Sequence, residues 1–393
     1  MPRADRVAAM KPYVFARLEN KVGQLLAAGR DVVDLGQADP DGPAPPAVVR
    51  ALQAAAADPA NHHYPPFRAT AAFQEAVAAW YGRRWGIRLD PASQVLALGG
   101  AKQGLFHLAL AYLTPGSVAL VPDPGFPTYA DGAEFAGAEV VRLPLRAEHG
   151  FLPVLDALQP DLLRRARLLF LNYPHNPTGA VASRAFLAHA VDFCRTHDIL
   201  LCYDNAYSEI TFEGYRAPSV LEFPGAMEVA IEIVTFSKAY NMAGFRLAMA
   251  AGSTDAIAAL ALAESKANTG VFAAVQAAGV AALEQVYGSA FPEQLRHAYQ
   301  QRRDRALATM RRLGLDAPTP MGAAYLWLPV APGFPDSEGF ADHLLERGQV
   351  CVAPGTAFGT EGRGHFRLSL TCPDERLGLG LERIAATLAP ALR

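Results

Sequence analysis

The chain has 393 residues, of which 51% are hydrophobic, and carries a formal net charge of -3. That length and apolar content support large cores and predict two domains. The near-neutral charge excludes general attraction to nucleic acid or an anionic membrane, so anionic ligands must be met by local basic residues. Cys194, Cys202, Cys351 and Cys372 lack metal-ligand spacing, which predicts no metal site and free thiols in a reducing cytosol. No stretch is long and uncharged enough to span a bilayer, and the amino terminus has early charges. A whole, cytoplasmic protein without membrane contact is therefore expected.

In chain order, the first strand of the main pattern, Val95 to Leu98, runs into Gly99 and Gly100 and then a helix with Leu105, Leu108, Ala109 and Tyr112 on one face. The N–H groups of Ala101 and Lys102 at that helix start point at an anion, although tight packing also explains such glycine turns. Strands at Val118 to Val121 and Val140 to Leu143 follow, and between them Phe126 is either a ring for stacking or a core phenylalanine. The strand Leu168 to Asn172 ends in the turn Asn176-Pro177-Thr178-Gly179, which offers the Asn176 side-chain amide as a donor.

The strand Ile199 to Tyr203 delivers Asp204 and, three residues later, the Tyr207 phenol to the same edge. A buried aspartate there keeps a pyridine nitrogen protonated and makes the ring an electron sink, while the plainer alternative is a helix cap. Ile231 to Phe236 leads into Thr235, Ser237, Lys238 and Arg246. These are an amine that condenses with an aldehyde, beside two hydroxyls and a guanidinium fork for a phosphate dianion. Together these segments supply what a covalently held pyridoxal phosphate needs. Arg246 to Ala251 is the seventh strand, and the alternation with helices predicts a largely parallel sheet between Leu52 and Leu283, with the ligand at its carboxyl edge.

Beyond a long helix around Pro292 to Leu313, short strands at Ala324 to Pro329, Val350 to Ala353 and Phe366 to Leu370 predict a smaller α+β domain completed by the amino-terminal segment. The last helix is predicted to start with a capping box of Thr371 and Asp374, Pro373 in its first turn, and Leu377, Leu381, Ile384 and Leu388 on one face.

The order and spacing of these pieces resemble a fold-type I, class I/II pyridoxal-phosphate aminotransferase over nearly the whole chain. The pattern is most similar to the branch that contains LL-diaminopimelate, alanine and aspartate aminotransferases, as in Leu35-Gly36-Gln37-Ala38-Asp39-Pro40 and Tyr240-Asn241-Met242-Ala243-Gly244-Phe245-Arg246. The resemblance implies an α/β fold with a mostly parallel seven-stranded sheet domain and a smaller α+β domain. Its divisions would be 1–51 (arm and part of the small domain), 52–290 (large, cofactor-binding) and 291–393 (small).

It also implies roles. Lys238 would carry the cofactor and shuttle the α-proton, Asp204 would face the ring nitrogen, and Asn176 and Tyr207 the 3-oxygen. Phe126 would stack on the ring, and Ala101, Lys102, Thr235, Ser237 and Arg246 would hold the phosphate. Arg367 would clamp the substrate α-carboxylate, with Tyr13, Ala38, Lys102, Asn176 and Asn268 at the substrate. A homodimer is implied, with Tyr64 reaching the neighbour's phosphate. Ala38 stands where a glycine is usual, Phe126 where a tyrosine is frequent and Thr235 where a serine is frequent.

The expected reaction is ping-pong transfer of an amino group from an L-amino acid to a 2-oxo acid, with LL-diaminopimelate and 2-oxoglutarate as first choice. Alanine or aspartate transamination is the alternative within the branch. A carbon–sulfur β-lyase would use the same lysine, aspartate and arginine, and a non-catalytic regulatory domain fits least.

Overall fold

The structure, a computed structural model, describes residues 1–8, 10 and 14–389. Its strands in chain order are β1 (Val33–Asp34), β2 (Val95–Leu98), β3 (Val118–Asp123), β4 (Glu139–Pro144), β5 (Ala166–Asn172), β6 (Leu200–Asp204), β7 (Ala230–Thr235), β8 (Ala248–Gly252), β9 (Tyr325–Pro329), β10 (Val350–Cys351), β11 (Ala353–Pro354) and β12 (His365–Ser369). Seven of them form one sheet in the order β2-β8-β7-β6-β5-β3-β4.

Continuous apolar runs make the central strands of this sheet, because helices cover both faces and leave no wet side. Successive residues fall into different cores: Leu169 and Leu171 of β5 pack in one cluster, Leu168 and Phe170 in the other. Each such side chain contributes roughly 1.5–3 kcal/mol by leaving water. Strand β4 lies at an edge, where it carries Glu139 and Arg142 and is mostly accessible, as suits an edge that must not pair further.

The four parallel pairings run from β7 through β6, β5 and β3 to β4. β8 departs from the predicted alternation of strand and helix, since it is antiparallel to both β7 and β2. The link from Thr235 to Ala248 holds only the turn Phe236–Ala239 and a tight turn at Ala243–Phe245, too little helix for a parallel crossover. Arg246 accordingly precedes the strand instead of opening it. The parallel strands end together, so Asp123, Asn172, Asp204 and Thr235 all close their strands at one edge.

A further core gathers around the antiparallel sheet β11-β12-β9, the helix Phe291–Arg312 and the helix Asp374–Leu388. β12 is its middle strand, with Arg367 between Ala353 and Trp327. The amino-terminal segment joins this region through β1, which pairs in parallel with β10. The predicted capping box is absent. The last helix begins at Asp374 after Pro373, with no side-chain cap, because the Thr371 hydroxyl is engaged with Ser369 Oγ at 2.8 Å. Leu377, Leu381, Ile384 and Leu388 are all buried, as their spacing predicts. Among the described residues no helix is long and apolar enough to cross a membrane.

Candidate active site

Strand β7 ends at Thr235, whose Oγ1 accepts from Ser237 N at 3.2 Å and so starts the single helical turn Phe236–Ala239. That turn lifts Lys238 over the sheet edge, where its Nζ donates to the Ala38 carbonyl. Burial lowers the Lys238 ammonium to about 8, opposed by Asp39 and helped by the Arg367 and Arg246 charges. A lysine so placed gives up its proton far more readily than one in water.

Asp204 closes β6 and is fully enclosed. Its Oδ2 accepts from the Tyr129 phenol at 2.7 Å, whereas Oδ1 has no hydrogen-bond partner among the described residues. Burial raises the carboxyl to about 6, and the Tyr129 bond and the Ala206 backbone N–H work against that rise. A buried, half-satisfied carboxylate is costly unless a ligand donor meets it.

Asn172, at the end of β5, ties the next segment down. Its Nδ2 donates to Asp204 O at 2.6 Å and its Oδ1 accepts from Asn176 N at 2.8 Å. Asn176 Oδ1 in turn accepts from Arg367 Nη1 at 2.9 Å, which leaves the amide end to donate. Arg367 also donates through Nη2 to Gly36 O at 2.6 Å. Its guanidinium lies 4.3 Å from the Tyr325 ring centre, 4.8 Å from Phe358 and 5.5 Å from Phe15. Tyr207 shares a 2.6 Å hydrogen bond with the Tyr325 hydroxyl.

At the other end, Gly100 precedes the helix Ala101–Tyr112 with φ +111°, and a Cβ there would run into the Arg246 guanidinium. Glycine thus lets a cation approach the N–H end of a helix, which is an arrangement for an anion. Lys238, Asp204, Asn172, Asn176, Arg367, Tyr207 and Arg246 all border one cavity of about 410 Å³. Its walls include Ala38, Ala101, Lys102, Phe126, Asn176, Asp204, Tyr207, Thr235, Ser237, Lys238, Arg246 and Arg367.

Two of the sequence-predicted residues stay outside it. Tyr64 is 86% exposed, and the Asn268 side chain is spent on Glu264 and the Gly270 N–H at the end of the helix Thr254–Ala267. Tyr13 lies outside the described residues. Sequence reasoning missed Tyr129, Tyr325, Phe15, Phe358, Glu19 and Asp39. The last five line the cavity, and Tyr129 reaches it through Asp204.

The family model for aminotransferase class I and II matches residues 30–384. The chain belongs to that family. It is 45% identical over 388 residues to an LL-diaminopimelate aminotransferase of Moorella thermoacetica, covering 99% of each protein. Among solved structures it resembles substrate-bound BacF of Bacillus subtilis, with a TM-score of 0.94, 38% identity and 98% of each chain covered. It also resembles the aspartate aminotransferase of Thermus thermophilus with maleate, at a TM-score of 0.92 and 34% identity, covering 99% of this chain and all of that one.

The cofactor of this aminotransferase is pyridoxal 5′-phosphate, and the residues present fit it. The unpartnered Oδ1 of Asp204 suits a ring N–H, and the enclosed Lys238 suits an aldehyde. The glycine gap before Ala101, with Arg246 beside it, suits a phosphate.

Proposed function

We propose that this aminotransferase takes an amino donor with a second charged end, LL-diaminopimelate with 2-oxoglutarate as acceptor, and that the cavity residues divide the work. The observation that carries this reading is that Lys238, Asp204 and Arg367 border a single cavity whose wall also includes Lys102, Glu19 and Asp39. When bound, pyridoxal phosphate supplies an electron sink for the pair left behind by the α-proton. Asp204 would hold the ring nitrogen charged, and Asn176 and Tyr207 would donate to the ring's oxygen substituent. Ala101 N, Lys102 N, Thr235, Ser237 and Arg246 would hold the phosphate, and Phe126 would cover the ring.

Arg367 grips the substrate α-carboxylate in place of the contacts it now makes with Asn176 and Gly36. Lys238 would take the substrate's α-proton on its amine and hold it as the conjugate ammonium for return; its pKa, lowered to about 8, favours the neutral base more than that of a lysine in water. Lys102 meets the distal carboxylate.

We assign 52–290 to the cofactor-binding domain, and 1–51 with 291–393 to the domain that carries Arg367. We also infer a cytoplasmic homodimer in which Tyr64 serves the neighbouring cavity. The exposed rings of Tyr64 and Phe67 support that assembly.

The test is a half-reaction screen that follows cofactor absorbance with single amino acids. LL-diaminopimelate and glutamate should convert the cofactor fastest, and 2-oxoglutarate should restore it. Lys102→Met should raise KM for both by about tenfold, with alanine turnover intact. Preference for alanine, with no effect of Lys102→Met on any substrate, would overturn the distal assignment. Ammonia release without an acceptor would overturn transamination.

A further inference from the structure

Asp123, at the end of β3, is 1% exposed, and its carboxylate is filled from a remote part of the chain. Thr360 donates to Oδ2 through its backbone N at 3.0 Å and its hydroxyl at 2.8 Å, and Glu361 N donates to Oδ1 at 3.1 Å. The nearest cation, Arg142, is 3.9 Å away and partly exposed, so the carboxylate is held by donors of the 360–361 turn more than by an ion pair. Beside it, Gly125 N donates to Phe358 O at 2.8 Å.

Gly359 completes the fit. Its φ is +135°, and a Cβ would collide with the Asp123 carboxylate, so both conformation and space require glycine.

The segment fixed in this way carries Phe358, whose ring lies 4.8 Å from the Arg367 guanidinium and edge-on to Trp327 at 5.9 Å. Arg367 sits on a different strand, β12, and has several rotatable bonds, so its fork keeps one orientation only while its neighbours hold theirs. On the other side, Asp123 begins the loop that carries Phe126, which lines the same cavity. A single carboxylate therefore ties the loop bearing Phe126 to the aromatic cover of Arg367.

We propose that Asp123 is a positioning residue: by holding Thr360 and Glu361 it sets Phe358 against Arg367, and so tunes affinity for the α-carboxylate without touching substrate. The proposal rests on the reading of Arg367 as the α-carboxylate clamp. A fold staple would be the purely structural role for the same contacts. That role affects stability and cofactor loading together, whereas positioning of Arg367 affects carboxylate binding alone.

The test uses the holoenzyme of Asp123→Asn, Thr360→Val and Arg367→Lys. In Asp123→Asn the amide nitrogen must face a backbone N–H of Thr360 or Glu361, so at least one bond is lost. Thr360→Val removes the hydroxyl bond alone. We expect Asp123→Asn to raise both KM for the amino donor and Kd for maleate about tenfold, with kcat and cofactor affinity within about twofold. Thr360→Val should shift both binding constants about threefold in the same direction, and Thr360→Ser should restore them.

Unchanged maleate binding in Thr360→Val and in Asp123→Asn, while Arg367→Lys weakens it, would overturn the role of Asp123 and leave the clamp standing. Unchanged binding in Arg367→Lys would overturn the clamp itself. Equal losses of kcat, cofactor affinity and maleate binding in Thr360→Val would reduce Asp123 to a staple. If Asp123→Asn does not fold, Thr360→Val and its serine control decide.

Discussion

Asp204 and Glu232 are fully buried carboxyls on neighbouring strands, and they have opposite surroundings. In the register of β6 with β7, Tyr203 lies across from Glu232 and Asp204 from Ile233, so the two acids emerge on different faces of the sheet. Glu232 has every side filled. Its Oε1 accepts from Tyr81 OH at 3.0 Å and Asn205 Nδ2 at 3.2 Å, and its Oε2 from Ser219 OH at 2.7 Å and Val220 N at 3.0 Å. Asp204 has one oxygen on Tyr129 and the other bare toward the cavity wall.

Burial raises both groups, Asp204 to about 6 and Glu232 to about 7. A raised carboxyl pKa therefore does not separate a binding acid from a structural one, although it marks both as worth inspection. The count of satisfied oxygens separates them, because an open oxygen on a buried carboxylate is costly unless something else fills it.

The largest expected effect that tests this contrast is on Asp204→Asn. The asparagine keeps a carbonyl for Tyr129 but cannot hold the ring nitrogen charged, so kcat/KM should fall about 10³-fold. The melting temperature of the apoprotein should hold or rise, since a desolvated, half-satisfied carboxyl has been removed. A melting temperature lowered as far as in a Glu232 variant would erase the distinction.

Next in size is Glu232→Ala, which takes from the Tyr81 hydroxyl and the Val220 N–H the acceptor that each now has. It should destabilise the apoprotein by about 2–4 kcal/mol, while kcat of the folded fraction stays near wild type. Loss of turnover with full stability would instead place Glu232 in the reaction.

How far these two acids were legible in the sequence differs for a physical reason. Asp204, Asn176, Lys238 and Arg246 each sit where an apolar strand run meets turn or polar residues, a local pattern that one segment displays by itself. The same local signal located β2 to β7 within a residue or two. What stayed hidden are partnerships across the chain. Tyr129 meets Asp204 over 75 residues, Tyr325 meets Tyr207 over 118, and Thr360 meets Asp123 over 237. Nothing near Tyr129 sets it apart from a core tyrosine.

Direction and breaks were hidden likewise. β8 reverses because its connection is short, the two-residue β1 has no length to show a period, and Val350 to Ala353 divides into β10 and β11, which pair with different partners. The cap expected at Thr371 failed because Ser369, also nearby, took its hydroxyl.

A pH series sharpens the contrast at a smaller scale. A carboxyl raised by folding binds its proton more tightly in the native state than in the unfolded one. Its contribution to stability therefore falls as pH climbs from the unfolded value, 4.5 for Glu232, through about 7, and is flat above. The span corresponds to roughly 3 kcal/mol for a full shift. Glu232→Gln has no proton to lose, so its apoprotein should be less stable than wild type near pH 5 and show a flatter decline between pH 5 and 7. Parallel curves for the two proteins in thermal melts would mean that Glu232 does not titrate in that window.

The smallest expected effect falls on Tyr129→Phe, the finest probe of what keeps Asp204 ready. The ring stacks on Phe170 at 4.9 Å with planes 14° apart, and phenylalanine keeps that packing and removes only the hydroxyl. Asp204 then loses its bond from the phenol, and since that bond lowers the carboxyl against burial, its pKa must rise above about 6. In the apoprotein the Asp204 carboxyl carbon resonance should titrate at higher pH than in wild type. In the loaded enzyme kcat should fall about tenfold near neutrality, consistent with one hydrogen bond to a charged group, and the acid limb of the kcat profile should move to higher pH. The melting temperature should change little. If the carboxyl resonance titrates where it does in wild type, Tyr129 does not stabilise the charged form, and the readiness of Asp204 must come from its backbone surroundings alone.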